Sequence, residues 1–278
     1  MLDLRSPLAR FAFVAMLVML GLFLFFPVYW LVVSAFKSNA ELYRVIPTPF
    51  ALAPTLEHFR TALLKGDLLL HLKNSLLSSG ASASLNTILA IYAGYSFAKF
   101  RYRGRRAIMI AILSAQVFPF GLLLISLYPI LNDWALIDTR AGLVLSYIVF
   151  ALPVSTYMLY SYFTQVPDEI IEAARADGAS ELRIFHTIVL PVSIPAVVTV
   201  FLYAFMWSWN DLLYSMTIIV SESNRTVGPG LLLNYLNEVN SDWGAAMAAS
   251  ILASLPVVAA FGFLQRYFIA GITAGAVK

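Results

Sequence analysis

Asp211 is the one acid well inside an apolar run, in the segment Trp207-Ser208-Trp209-Asn210-Asp211. An ionisable group within a membrane-spanning segment costs at least ~2.5 kcal/mol, so it marks a site of function by default. It could equally stand hydrated at the external end of a long span, and the sequence leaves both readings open. Other chemistry is sparse. His58, His71 and His186 stand apart without metal-ligand spacing, which reads them as exposed or interfacial polar residues. The chain has no cysteine, which excludes disulfides, thiolate catalysis and cysteine-based metal sites. It has no G-x-x-x-x-G-K-[ST] phosphate loop, no H-E-x-x-H pair and no G-x-S-x-G elbow. ATP hydrolysis of the P-loop kind, zinc hydrolysis and serine catalysis therefore lack their residues. No catalytic residue, metal or cofactor bound by this chain is expected.

The few polar candidates have to be positioned by membrane helices. Of 278 residues, 60% are hydrophobic and 12% charged, about half the charge of a soluble domain. Mean hydropathy is +0.81, so apolar side chains must face lipid. A span needs about 20 apolar residues, and six segments qualify: 11–33, 75–98, 107–131, 141–163, 192–220 and 245–267. The first follows Arg5 and Arg10, but its length exceeds the 7–15 residues of a signal-peptide core, so it reads as a retained anchor. The second is rich in Ser, Ala and Gly (Ser78 to Ser84), a composition for close packing inside the bundle. Pro27, Pro119, Pro129, Pro153, Pro195 and Pro256 fall within spans as kinks. The expected fold is an all-α integral membrane protein of about six transmembrane helices, forming one domain over residues 1–278.

Basic residues orient the bundle. With the N-terminus inside, Arg5, Arg10, Lys99, Arg101, Arg103, Arg105, Arg106, Arg175, Arg183, Arg266 and Lys278 are cytoplasmic. The segment Lys99–Arg106 alone holds five of them. Both termini are then cytoplasmic, and 34–73 is an ordered extracytoplasmic loop. Basic charge set beside apolar spans serves lipid rather than nucleic acid, so no nucleic-acid partner is expected.

One connecting segment is built more carefully than a loop requires: 166–191, VPDEIIEAARADGASELRIFHTIVLP. Pro167 suits the first helical position, and Asp168 and Glu169 complement a helix N-terminus. Ile170, Ala173, Ala174 and Asp177 share one stripe. Gly178 supplies a left-handed stop, Ser180 caps a second helix opening with Glu181, and Pro191 lies beyond its end. Ala173, Ala174 and Gly178 permit a partner surface to approach closely, and Glu172 offers it a charge. A docking element and a surface-lying connector both fit these residues.

Here the sequence resembles a known family. Glu172-Ala173-Ala174, Gly178 and Ile188-Val189-Leu190-Pro191 are similar to the EAA loop, E-A-A-x₃-G-x₉-I-x-L-P, of ABC importer permeases. Further matches follow in the family's order: Asn74-Ser75, Ile137-Asp138-Thr139 with Gly142-Leu143, Ala151-Leu152-Pro153, Trp209-Asn210-Asp211, Asp242-Trp243-Gly244 and the tail 265–278. They resemble the carbohydrate-uptake, maltose-type branch.

The resemblance implies a non-catalytic permease subunit of a bacterial or archaeal inner membrane. Two cytoplasmic ABC ATPase subunits would use ATP and Mg. A homologous second permease subunit would complete the pathway, and an extracytoplasmic sugar-binding protein would deliver substrate. Glu172, Ala173, Ala174, Gly178, Leu190 and Pro191 would form the ATPase-coupling element. Sugar sites combine aromatic faces with amides and carboxylates, which singles out Trp207, Trp209, Asn210, Asp211 and Tyr214, then Tyr147, Tyr157 and Gln116. Helix packing and interfacial anchoring are open alternatives for all of them. A secondary carrier or channel is the rival function, disfavoured by the lack of intramembrane charge pairs. A membrane-embedded enzyme lacks a nucleophile, metal or paired acids.

Overall fold

Apolar backbone in lipid has to close its own hydrogen bonds, and this chain does so with helices. The structure, a computed structural model, describes residues 7–236 and 241–276. The side chains of Lys65 and of residues 264–276 lie outside that description. So do Arg5, Lys278 and the side chains of the tail matched above. In order come α1 (Pro7–Ala35), α2 (Asn39–Leu42), α3 (Glu57–Lys65), α4 (Leu68–Lys99), α5 (Arg105–Ser114), α6 (Phe120–Asp133) and α7 (Arg140–Phe163). There follow α8 (Asp168–Ala176), α9 (Glu181–Ile184), α10 (Leu190–Val192), α11 (Ile194–Trp209), α12 (Leu213–Ile218), α13 (Val227–Tyr235) and α14 (Trp243–Ala276). Among the described residues the β-structure is one isolated bridge, Leu236 with Ser241.

The chain divides into two compact units: residues 1–68 with 230–254, and 69–229 with 255–278. In the first, α1 exposes its whole apolar stretch, as a lipid-facing helix does. The loop after it is ordered by two buried charges. Lys37 Nζ lies 4.6 Å from the Trp30 ring centroid and donates to the Thr48 carbonyl. Glu41 accepts from Thr48 Oγ1 (2.6 Å) and from the Leu52 amide (3.0 Å). His58 is buried against Gly244, where a Cβ would overlap its ring, and its Nδ1 is 3.9 Å from Asp242. Asp242 in turn caps α14 through the Ala245 amide (2.9 Å). The expectation of exposed or interfacial histidines fails for His58, and in the second unit for His71; only His186 is exposed. His58 is buried because distant Gly244 leaves room for its ring.

In the second unit α4 is turned inside out. Asn74, Ser75, Ser78, Ser79, Ser82, Asn86 and Thr87 face inward, while Leu76, Leu77, Leu85, Ile88 and Leu89 face outward. The burial expected from its small residues therefore holds for one face. Asn86 Nδ2 donates to Ser155 Oγ on α7 (2.7 Å). The central α7 starts under a Thr139 cap (Gly142 amide to Oγ1, 3.1 Å). Gly142 is required there, since a Cβ would run into the Leu136 carbonyl.

Two expected spans are not single helices. Residues 107–131 break at Phe118-Pro119 into α5 and α6, bent by 104°. Pro119 lacks an amide hydrogen and disfavours helix in the residue before it. Residues 192–220 divide into α11 and α12, and α11 itself turns 76° from the helical run 181–192. Among the described residues, four helices are long and apolar enough to span, or up to six if each bent pair is one span.

A polar knot ties one end of α4, α7 and α12 together. Asn74 Nδ2 donates to the Ser223 and Arg225 carbonyls (2.8 and 2.9 Å), and its Oδ1 accepts from Arg140 (2.8 Å). Asp138 Oδ1 accepts from the Val220 and Ser221 amides and Ser221 Oγ (2.8–2.9 Å). The Ser221 backbone bond holds the Asp138 carboxyl below its ordinary range. Asn74 is fully buried, so Asn74→Ala leaves two carbonyls and a guanidinium unpaired. A loss of about 2–4 kcal/mol is expected, seen as a lower thermal-inactivation midpoint at unchanged membrane insertion.

Candidate functional site

The segment 166–191 folds as two short helices joined at Gly178, with φ +82°. Ala179 and Gly178 amides return to the Ala174 and Arg175 carbonyls (3.0 and 2.9 Å), closing α8. The Ser180 hydroxyl accepts from the Arg183 amide (3.4 Å), and Glu181 stands in the first turn of α9 as expected. Arg175 pairs with Glu181 across the turn, holding the Glu181 carboxyl below its ordinary value. Pro167 is the residue before the helix (φ −59°, ψ 132°) rather than its first member.

Pro191 also departs from expectation. It lies inside the helical run 181–192 instead of beyond its end. A π-turn at Phe185–Val189 precedes it, with the Leu190 amide reaching back to the Phe185 carbonyl. The wider turn absorbs the missing proline amide, so the helix continues.

The hairpin has two distinct faces. Ile171, Ala174, Ile184, Phe185 and Val189 are buried with Ala90, Ile91 and Tyr95 of α4, Leu159 and Phe163 of α7, and Val200 of α11. Tyr95 meets Phe185 in a tilted contact at 4.4 Å and Phe163 edge-on at 5.7 Å. Leu190 packs on this cluster from its margin. Ala174 therefore serves the protein's own core and not the outward surface. Glu172, Ala173, Gly178 and Pro191 are exposed, and a Cβ on Gly178 would meet nothing within 4 Å.

Lys99, unremarked in the motif, anchors the hairpin's start. Its buried ammonium donates to the Val166 carbonyl and Asp168 Oδ1, both at 2.6 Å. That bond, reinforced by the ammonium's charge, holds the Asp168 carboxyl below its ordinary value. A depressed carboxylate stabilises the fold above its unfolded pKa near ~4 and loses that contribution as pH falls through the folded value. Hairpin protection from amide exchange should thus be constant from pH 8 to 5 and weaken below about 4. In Lys99→Met it should already be weak at pH 7. A sequence signal existed: Lys99 ends a span and opens the basic segment.

Asp211 sits where α11 ends and α12 begins, only 8% exposed. Its carboxylate accepts from Tyr147 Oη (3.0 Å) and from the amides of Tyr214 (3.2 Å) and Ser215 (2.9 Å). The hydrated-end reading is overturned: the group is enclosed and caps α12. Trp207 stacks on Phe150 at 4.2 Å and meets Phe120 and Tyr147 edge-on. Tyr214 Oη donates to the Phe120 carbonyl (3.1 Å), and Gln116 to that of Phe150 (2.9 Å). Trp209 is buried in a stack with Phe205. Asn210 is exposed, its amide donating back to the Met206 carbonyl. Tyr157 is exposed and apart from this group, beside Tyr160. Among the described residues no three His, Cys, Asp or Glu side chains cluster as a metal site.

Residues 86–274 match the family model "Binding-protein-dependent transport system inner membrane component". The chain is 32% identical over 276 residues to the inner membrane ABC transporter permease protein YcjP of Escherichia coli, covering 99% of this chain and 98% of that one. It is 30% identical to the trehalose/maltose transport system permease protein MalG of Thermococcus litoralis, covering 99% of both. It is likewise 30% identical to the diacetylchitobiose uptake system permease protein DasC of Streptomyces coelicolor, covering 94% of both. The fold is shared with a chain of a bacterial ABC transporter that imports the acidic polysaccharide alginate: TM-score 0.82 at 21% identity, over 96% of this chain and 99% of that one. With all-helical architecture, spanning helices and a family model covering most of its length, the chain belongs to the inner-membrane permease components of binding-protein-dependent transport systems.

Proposed function

We propose that this permease subunit passes a carbohydrate inward across a bacterial or archaeal inner membrane, driven by ATP and Mg used in two cytoplasmic ABC ATPase subunits. A homologous second permease subunit and an extracytoplasmic sugar-binding protein complete the system, and the chain works as one transmembrane domain. Relatives named for diacetylchitobiose, trehalose/maltose and sulfoquinovosyl glycerol transport support the substrate class.

The two-faced hairpin carries the coupling assignment. Its outer face presents Glu172, Ala173, Gly178 and Pro191 to an ATPase, while its inner face is packed on α4, α7 and α11. Ala174 and Leu190 act in coupling from the inside, by fixing α8 and the helical run to that core. A displacement of the outer face therefore moves three helices together. Of the sugar candidates, the exposure of Asn210 and the partial exposure of Trp207 support substrate contact, whereas Asp211 and Tyr214 are hydrogen-bonded to each other at the helix junction. Reconstituted uptake should need the ATPase subunits and be blocked by orthovanadate. Uptake that persists without them would indicate a secondary carrier.

The basic-residue asymmetry supports cytoplasmic termini. The native chain lacks cysteine, so single cysteines report topology cleanly. Val45→Cys, at a 99% exposed position, and Ser223→Cys should react with an impermeant maleimide in intact cells. Arg103→Cys and Ser180→Cys should react only after permeabilisation. Labelling of Ser180→Cys from outside reverses the orientation.

A further inference from the structure

The turn between α4 and α5 collects more positive charge than orientation alone explains by its shape. Arg101, Arg103, Arg105 and Arg106 line an open, shallow depression of about 640 Å³ around Gly104, whose φ of +85° reverses the chain. A second groove, about 150 Å³, adjoins it and shares Arg105 and Arg106; its other walls are Phe97, Met109, Ile110 and Tyr160. Arg105 donates one bond to the Phe100 carbonyl (2.9 Å). Among the described residues no carboxylate lies within ion-pair distance of Arg103, Arg105 or Arg106. Next to the groove, Ile108 and Ile110 are 46% and 67% exposed on the apolar helix α5.

We propose that depression and groove together form a site for one anionic phospholipid, the phosphate among the arginines and an acyl chain along Met109 and Ile110. Guanidinium groups match phosphate oxygens in pairs and keep their charge at any physiological pH. With no carboxylate among the described residues in ion-pair range of Arg103, Arg105 or Arg106, they select an anionic headgroup over a zwitterionic one. The apolar groove shares Arg105 and Arg106 with the arginine-lined depression and lies beside the outward isoleucines, so an acyl chain fits it and a soluble anion has nothing to fill there. Basic pockets at the ends of membrane helices bind acidic headgroups by this combination.

The test uses the full chain, purified with its partner subunits and held in nanodiscs. Retained lipid is counted by native mass spectrometry for palmitoyl-oleoyl phosphatidylglycerol and for the phosphatidylcholine of the same chains. Phosphatidylglycerol should be retained at least about ten-fold better, and Arg103→Gln and Arg106→Gln should each weaken it about five-fold. Arg106→Lys should recover part of the loss, because the charge remains but the paired guanidinium contact does not. Thermal stability in pure phosphatidylcholine should be the same for all variants, which shows that they fold. Equal retention of the two lipids overturns the proposal, as does an unchanged preference in both glutamine variants. Displacement of the lipid by millimolar inorganic phosphate or glycerol phosphate also overturns it, and assigns the arginines to a soluble anion.

Discussion

Gly178→Asp should reduce uptake by more than ten-fold while the chain still accumulates in the membrane at wild-type levels. At φ +82° any Cβ is strained by about 1–2 kcal/mol. That alone leaves a well-packed hairpin largely formed, because its inner face buries five apolar residues in the core. A Cβ at this position meets nothing within 4 Å, so a larger loss points to a contact with another protein. The aspartate places an uncompensated charge at that contact, and ATPase subunits should dissociate during purification. Gly178→Ala carries the same strain without the charge, and should lose no more than a few-fold. Glu172→Lys, exposed and harmless to helix propensity, should reverse an interfacial charge and mimic Gly178→Asp. Wild-type uptake by both charged variants, with ATPase stably bound, would reduce the hairpin to a connector.

Asp211→Leu should be the most damaging single change inside the membrane domain. It strands the Tyr147 hydroxyl and the amides of Tyr214 and Ser215 in a buried site. Each unpaired buried group costs about 1–3 kcal/mol, enough together to collapse the yield of folded protein. Asp211→Asn keeps one acceptor oxygen and should lose about half as much. The diagnostic quantity is uptake per folded molecule. If the carboxylate is a cap, this stays within about three-fold of wild type for Asp211→Asn while the thermal midpoint falls. Full yield with abolished or altered sugar uptake would return Asp211 to the pathway.

Hydropathy located six apolar runs but not the breaks within two of them. A window average does not register where helix bonds pass to a side chain, as at Asp211, or stop, as at Pro119. The hairpin was legible because its signals are local: Gly178, Ser180 and Glu181 act within a turn of where they stand. Its facing was not. In DEIIEAARA both Ile170 and Ile171 compete for the inner side, and only tertiary packing chose Ile171 with Ala174, leaving Ile170 48% exposed. The π-turn before Pro191 escaped for the same reason, since no residue pattern announces a widened turn. The apparent signature residues Asn74, Asp138, Thr139 and Gly142 turned out to hold helix ends together. Nothing in their spacing links 74 to 223 or 138 to 221. His58 depends similarly on Gly244, far along the chain.

The 76° elbow between the helical run 181–192 and α11 sets the direction in which a stroke at the proposed coupling hairpin would be delivered. A thrust along the first segment has only about a quarter of its displacement along the axis of α11, and nearly all of it crosswise. The joint behaves as a bell crank rather than a piston rod. If the hairpin is the coupling element proposed above, α11 would be swung about its far end, with the Asp211 junction as the pivot, rather than driven endwise through the bilayer. Endwise travel would drag the polar ends of the helix into hydrocarbon, which is costly, whereas a swing keeps each end at its own depth. A few ångströms of motion at the hairpin would then be delivered as a sideways displacement along the length of the helix.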